Sequence, residues 1–342
     1  MADTNPTVVF TQPKTAVIED REIPSPGPGQ LLVCTHRTLI STGTELTIFA
    51  GDFAPDSAWA DWATFPFVPG YSNVGEVIEV GPSVDQTWIG RRVADTGPHA
   101  RFVVVPAGPA AQQVRPLHRP EVTDDEAAFF CLAEIVMNGL RRSRLVWGES
   151  VVVYGCGLLG QLAVRFARLL GARPVLAIDV ADTRLQLLPT DPGIIPVNPR
   201  QQNVADTVRD ATRGRLADVV IELTGNPSVI PTEFGSVRNQ GRLLMLSSPA
   251  GPTTFDFHDL CNARSITIIG AHVGSHPDLG EIDLPWTRQR HSELFFDLIA
   301  DREIDLQPLI THRAAYTDAP TWYHQLLTDR SQLMGVILQW PD

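Results

Sequence analysis

The sequence predicts a two-part α/β protein, with a first domain of short irregular strands and a second built on a doubly wound parallel sheet. Three observations predict it. Val151-Val152-Val153-Tyr154 runs directly into Gly155-Cys156-Gly157-Leu158-Leu159-Gly160, and residues 161–170 then carry apolar side chains at helical spacing. From there to about residue 270, near-continuous apolar runs alternate with helical patterns, as in a parallel sheet covered on both faces. Before residue 110, short apolar runs punctuated by Gly and Pro indicate irregular all-β structure. The expected division is 1–125, 126–275 and a return segment, 276–342, that completes the first domain.

Residues 8–40 suit strands, with Pro24-Ser25-Pro26-Gly27-Pro28-Gly29 as a rigid connection before Leu31-Leu32-Val33-Cys34-Thr35. Leu39-Ile40-Ser41-Thr42-Gly43-Thr44-Glu45-Leu46 is a polar knot that suits a binding turn, or a helix start capped by Ser41 or Thr44. The segment 51–69 holds Phe53, Trp59, Trp62, Phe65 and Phe67 without clear periodicity, so a long loop is expected, packed on the core or walling a pocket. Strands follow in 76–80, 89–93 and 97–106. Thr123 then caps a helix that carries Cys131, Glu134 and Asn138, with Arg141, Arg142 and Arg144 at its solvated end. In the second domain, strands are expected at 150–154, 175–179, 217–223, 241–246 and 265–269. Helices are expected at 158–170, 201–211 and 228–238, with a shorter one near 181–188. The last part shows a helix near 291–301 and a closing strand, 333–338.

Composition narrows the function. A net charge of −12 and the lack of any Lys/Arg-rich stripe argue against nucleic acid as a partner. No apolar run approaches membrane-span length and the start lacks a secretory pattern, so a cytoplasmic protein with a small-molecule partner is expected. Cys34, Cys131, Cys156 and Cys261 are too scattered for a disulfide framework or a metal knuckle.

Strand, glycine turn and helix N-terminus together match a dinucleotide pyrophosphate. Gly155 permits the turn, Gly157 lets the backbone approach the phosphates, and Gly160 lets the helix pack on the strand, with Leu158 and Leu159 opening the helix. Asp179, nineteen residues after Gly160, ends the second strand where an acid accepts from the ribose hydroxyls. Its charge repels a 2′-phosphate and favours NAD over NADP, with Arg184 leaving room for the latter. Ligands lie beyond the carboxyl ends of such strands, which places Thr224, Gly225, Ser247 and Ser248 at the cofactor crevice.

Ile40–Gly51, Pro69-Gly70-Tyr71-Ser72-Asn73-Val74-Gly75-Glu76-Val77 and Leu309-Ile310-Thr311-His312-Arg313 resemble elements of the medium-chain dehydrogenase/reductase superfamily. The resemblance covers nearly the whole chain and implies a GroES-like β-barrel catalytic domain, a Rossmann domain and a homodimer. Thr42 stands where zinc-dependent alcohol dehydrogenases carry their first catalytic cysteine, and Tyr71-Ser72 replaces their His-Glu pair. Cys131 matches the third ligand position, but one thiol cannot hold a catalytic zinc, and the four-cysteine lobe is missing, so no metal is expected. The Ser-x-Gly-Thr-Glu pattern is similar to a zinc-less branch that includes bacteriochlorophyllide a dehydrogenase and cyclitol or sugar dehydrogenases.

Without a metal, hydrogen bonds must stabilise the substrate oxygen during hydride transfer. The candidates are Tyr71 as donor, with Glu45 and Thr42 polarising or orienting, and Thr44, Ser72 and His99 beside them. Glu45 equally suits a backbone anchor, and His99 a structural turn. Glu134 is a helical charge that is costly to bury without a partner or a task. The expected reaction is oxidation of a secondary alcohol or reduction of a ketone. Reduction of a conjugated C=C or iminium bond is the alternative, and a cofactor-binding protein without turnover is a third reading.

Overall fold

The computed structural model describes residues 4–108, 113–277 and 279–341. The chain divides into two compact units, Met1–Cys131 with His276–Asp342, and Leu132–Ser275.

The first unit opens with β1 (Asn5–Gln12) and β2 (Thr15–Arg21), an antiparallel pair in a sheet of its own. β3 (Gln30–Leu39) leads into helix α1 (Thr44–Ala50), and the aromatic segment after it contains helix α2 (Ala58–Trp62). Thus the expected loop is partly helical, with Ser57 capping α2 through its side chain. Phe53, Trp59, Phe65 and Phe67 pack on a core that includes Phe10, Phe49 and Leu338, so the segment serves packing, and only Trp62 stands half exposed. β4 (Asn73–Val80), β5 (Arg92–Asp95), β6 (Phe102–Pro106) and β7 (Val114–Pro116) follow. The chain's last strands, β14 (Ile310–Ala315) and β15 (Gly335–Gln339), join this sheet, whose order is β14-β15-β3-β4-β5-β7 with β6 on β3. β15 pairs antiparallel with β3, and His276–Asp342 lies in the first unit.

Thr123 starts helix α3 (Asp124–Ala127) with a full capping box: its hydroxyl accepts from the Glu126 N–H at 3.3 Å, and the Glu126 carboxylate accepts from the Thr123 N–H at 3.1 Å. Thr123→Ala is expected to cost about 1 kcal/mol, read from urea unfolding. α4 (Phe130–Arg142) comes next, with Arg141 and Arg142 exposed in its last turn.

The second unit alternates β8 (Val151–Tyr154), α5 (Leu158–Leu169), β9 (Val175–Ile178), α6 (Asp182–Leu185), β10 (Ile194–Val197), α7 (Val204–Ala211), β11 (Ala217–Glu222), α8 (Ile230–Glu233), β12 (Val237–Met245) and β13 (Thr267–Gly270). All six strands are parallel, in the order β10-β9-β8-β11-β12-β13. This is the doubly wound arrangement, with its strand reversal between β8 and β11. Val151, Val152, Val153, Val175, Leu176, Val219, Val220 and Ile221 are wholly buried, which explains their unbroken apolar runs.

Several elements differ from expectation, β7 and β14 among them. β10 was not foreseen. The helix expected over 228–238 is one turn, α8, plus a 3-10 turn at Phe234–Ser236, because Pro231 suits only a helix start and β12 already begins at Val237. In the return segment, helix α9 (Arg288–Ala300) is followed by an unforeseen helix, α10 (Ala319–Thr328). Among the described residues, no helix is long and apolar enough to cross a membrane.

Candidate functional site

In the second unit the three glycines separate by what surrounds them. Gly155 has φ 89°, and a Cβ there would lie 2.6 Å from the Leu223 carbonyl oxygen. On Gly160 a Cβ would meet the Gly155 oxygen at 1.9 Å, so strand and helix approach only because it is absent. Gly157, at the N-cap of α5, differs: a Cβ there would meet nothing within 4 Å. Its lack of a side chain keeps open the approach to the first turn of α5, which no side chain caps. The open side, the uncapped N–H groups and the helix dipole fit a dinucleotide pyrophosphate, with Leu158 and Leu159 in that first turn.

Asp179 follows β9 and is 7% exposed. Its Oδ2 accepts from the Cys156 N–H at 2.8 Å and its Oδ1 from the Ala181 N–H at 2.9 Å, which ties the strand end to the glycine turn. Arg184 ion-pairs with it through Nη1 at 3.4 Å. Burial, then the Asp179 charge, pushes the Cys156 thiol far up, so this cysteine is inert.

Glu222, at the end of β11, was not singled out in the sequence, although an acid closing an apolar strand is itself a signal. It is wholly buried and organises both loops expected at the crevice. Its Oε1 accepts from the Thr224 N–H at 2.7 Å, the Thr224 hydroxyl at 2.6 Å and the Gly225 N–H at 2.9 Å. Its Oε2 accepts from the Ser247 hydroxyl. Thr224, Gly225 and Ser247 are thus brought together by one carboxylate, and Ser248 follows in the same loop. Glu134 is buried on α4 in this unit.

In the first unit, the polar knot before α1 and the turn before β4 converge. The Tyr71 phenol donates to the Ser41 Oγ at 2.5 Å, and the Thr44 hydroxyl also lies within hydrogen-bonding reach of it. Burial, then the Glu45 charge, pushes the phenol well above the ordinary tyrosine range, so it stays a donor. Glu45 is 2% exposed: its Oε1 accepts from the Ser41 N–H at 3.2 Å, and its Oε2 faces His99 Nε2 at 3.0 Å and accepts the Tyr323 hydroxyl at 2.5 Å. The cap expected from Ser41 or Thr44 is absent, because Gly43 is the N-cap of α1 and makes no side-chain bond. Ser41 instead belongs to the hydroxyl cluster. Tyr323, on α10, was missed, although Ala319, Tyr323 and Leu326 are buried at helical spacing.

Thr42 is partly buried, and its carbonyl accepts from Arg330 Nη1 at 3.0 Å. The Ser72 hydroxyl is buried, with no hydrogen-bond partner among the described residues. Cys131 directs its thiol to the Tyr71 carbonyl oxygen at 3.0 Å. Hydroxyls at positions 42 and 71 with a single thiol do not fit a zinc site, which needs three protein ligands. Among the described residues, no three His, Cys, Asp or Glu side chains gather into a group that could hold a metal ion.

Two family models match: "Alcohol dehydrogenase GroES-like domain" over residues 27–110 and "Zinc-binding dehydrogenase" over 159–288. The chain is 27% identical over 332 residues to L-threonine 3-dehydrogenase of Pyrococcus horikoshii, covering 87% of this chain and 88% of that protein. A solved structure of a short chain alcohol dehydrogenase from E. coli CFT073, complexed with NADH, superimposes with TM-score 0.83 at 18% identity, covering 99% of this chain and 100% of the other. One of a putative zinc-binding dehydrogenase from Sinorhizobium meliloti 1021, bound to NADP, does so with TM-score 0.81 at 20% identity, with the same coverage.

Proposed function

Since this chain belongs to the medium-chain dehydrogenase/reductase superfamily and is an NAD(P)-dependent oxidoreductase, we propose that it interconverts a secondary alcohol and a ketone without catalytic zinc. The substrate would be a cyclitol-, sugar- or polycyclic-type metabolite, and the chain would belong to the zinc-less branch. The observation that carries this reading is the hydroxyl cluster of Tyr71, Ser41 and Thr44, whose Tyr71 stands where the resemblance implies a metal ligand.

The nicotinamide cofactor supplies or removes the hydride. What the protein adds is a donor for the substrate oxygen. A phenol held as O–H stabilises negative charge developing on that oxygen, as a metal would by Lewis acidity. Without substrate the phenol gives its one hydrogen to Ser41 Oγ. With substrate bound it would turn that hydrogen to the substrate oxygen while the Ser41 and Thr44 hydroxyls donate to the phenol oxygen, and Glu45 anchors Ser41 through the backbone. Thr42, Ser72 and His99 complete the polar set proposed in the first unit, and Glu134 is the acid proposed for the reaction in the second.

NAD is proposed as the cofactor, because a buried carboxylate at Asp179 opposes a 2′-phosphate. Asp179→Asn is expected to raise the ratio of NADP to NAD affinity about tenfold, the effect of about 1.4 kcal/mol. Equal binding of both cofactors by the wild type would remove the NAD reading. The reading includes a homodimer paired through β13, an edge strand whose Ile268 is 42% exposed.

The test is turnover of a panel of cyclic polyols, sugars, polycyclic ketones, conjugated enones and L-threonine, with and without a chelator. Turnover of an alcohol–ketone pair should survive chelation, and Tyr71→Phe should lower kcat by about 10²–10³-fold, the usual cost of one such donor. Loss of activity on chelation would overturn the proposal, and activity on the enones alone would move it to double-bond reduction.

A further inference from the structure

We propose that Tyr323 and His99 are positioning residues of the reaction site, clamping the buried Glu45 carboxylate so that it sets Ser41 against the Tyr71 phenol. This rests on the reading of Tyr71 as the donor to substrate.

Three distant parts of the chain meet at one carboxylate. Glu45 comes from α1, His99 from the turn before β6, and Tyr323 from α10, 278 residues from Glu45 in sequence. His99 and Tyr323 are wholly buried and Glu45 is 2% exposed, so none of the three is placed to touch a substrate from solvent. They act through what they hold.

The two ends of the carboxylate have different tasks. Oε2 takes the Tyr323 hydroxyl at 2.5 Å and faces His99 Nε2 at 3.0 Å, and this pair of contacts fixes its direction. Oε1 takes the Ser41 N–H at 3.2 Å, and Ser41 Oγ in turn receives the Tyr71 phenol at 2.5 Å. A shift of the carboxylate therefore passes to the Ser41 backbone and from there to the donor.

The clamp is built to resist such a shift. The Tyr323 ring meets Phe10 edge-on at 4.8 Å and lies 5.5 Å from Phe49, which fixes where its hydroxyl points. With Nε2 facing a carboxylate, the ring hydrogen of His99 is assigned there, and Nδ1 is buried with no hydrogen-bond partner among the described residues. Core packing alone would be better served by an apolar side chain, because an unpartnered buried polar atom destabilises the fold. The charge held in place is also the one that adds to burial in keeping Tyr71 a donor.

The four tyrosines of the chain make this testable without a known substrate. The full chain is prepared with an isotope label at tyrosine Cζ, its four NMR signals are assigned by single Phe variants, and Tyr71 is followed with pH. Tyr323→Phe, which removes one oxygen, and His99→Leu should each move the Tyr71 signal. His99→Gln, which keeps an N–H near the Nε2 position, should restore it. Glu45→Gln should bring Tyr71 ionisation to lower pH. A Tyr71 signal unmoved in both Tyr323→Phe and Glu45→Gln overturns the clamp, whether or not His99→Leu folds. Turnover retained by Tyr71→Phe would instead overturn the functional reading and leave the clamp result standing.

Discussion

Gly157→Val is expected to abolish NADH binding while leaving the melting temperature of the chain unchanged. The backbone at Gly157 is extended, with φ −67° and ψ −170°, which a valine adopts without strain. Apart from its chain neighbours, a Cβ there meets no protein atom within 4 Å, so the fold should tolerate the side chain. The new methyl groups would occupy the side proposed for the approach of a pyrophosphate to the N–H groups of α5. Affinity should fall at least about 100-fold, equivalent to about 3 kcal/mol. Gly160→Val is the contrasting variant. There a Cβ would lie 1.9 Å from the Gly155 oxygen, a backbone atom that cannot swing aside, and the second unit should lose several kcal/mol. Fluorescence titration with NADH and thermal unfolding separate the two effects. Wild-type NADH affinity in Gly157→Val would show that the cofactor does not use this turn.

The parts of the fold that were legible in the sequence are those where local chemistry and tertiary packing agree. The run Val151–Gly160 reads as strand, turn and helix because each residue type is required where it stands, and Thr123 with Glu126 announces a helix start through two reciprocal bonds. β10 was hidden by Pro196 inside Ile-Ile-Pro-Val. A proline without an N–H argues against a central strand, but β10 is the edge of its sheet, where one ladder donor is dispensable.

The candidate site was legible only in part, for a related reason. Tyr71, Thr44 and Glu45 sit in segments whose polar residues stand out among apolar ones, but their partners depend on chain reversals that no local pattern encodes. Ser41 looked like a cap, yet its hydroxyl serves Tyr71, because Gly43 begins α1. Tyr323 approaches from the far end of the chain on a helix opened by Pro320, and His99, a candidate that also suited a structural turn, reaches Glu45 from 54 residues away. Glu222 was passed over because it reads as a strand terminus, whereas its carboxylate replaces water for two loops at once.

Glu233→Gln is expected to stabilise the second unit increasingly as pH rises from about 5 to about 9. Glu233 is wholly buried at the end of α8, beside a core of Ile230, Phe234 and Val237, and among the described residues neither of its carboxyl oxygens has a hydrogen-bond partner. Burial, then the charge of Glu222, raises its pKa from 4.5 to about 9. At neutral pH it is therefore a protonated acid in the folded chain and an ionised one in the unfolded chain. The sign follows: below about pH 4.5 both states hold the proton and there is no penalty. Between about 4.5 and about 9 the unfolded state gains by releasing it, at up to about 1.4 kcal/mol per pH unit. Above about 9 both states are ionised and the loss levels off. Glutamine has no proton to release, so its buried amide carries a fixed cost of about 1–3 kcal/mol at every pH. The variant should be level with or slightly below the wild type at pH 5 and ahead of it by a few kcal/mol at pH 9, as read by urea unfolding at each pH. Parallel stability curves for the two proteins across this range would show that Glu233 is already ionised and solvated in the folded state.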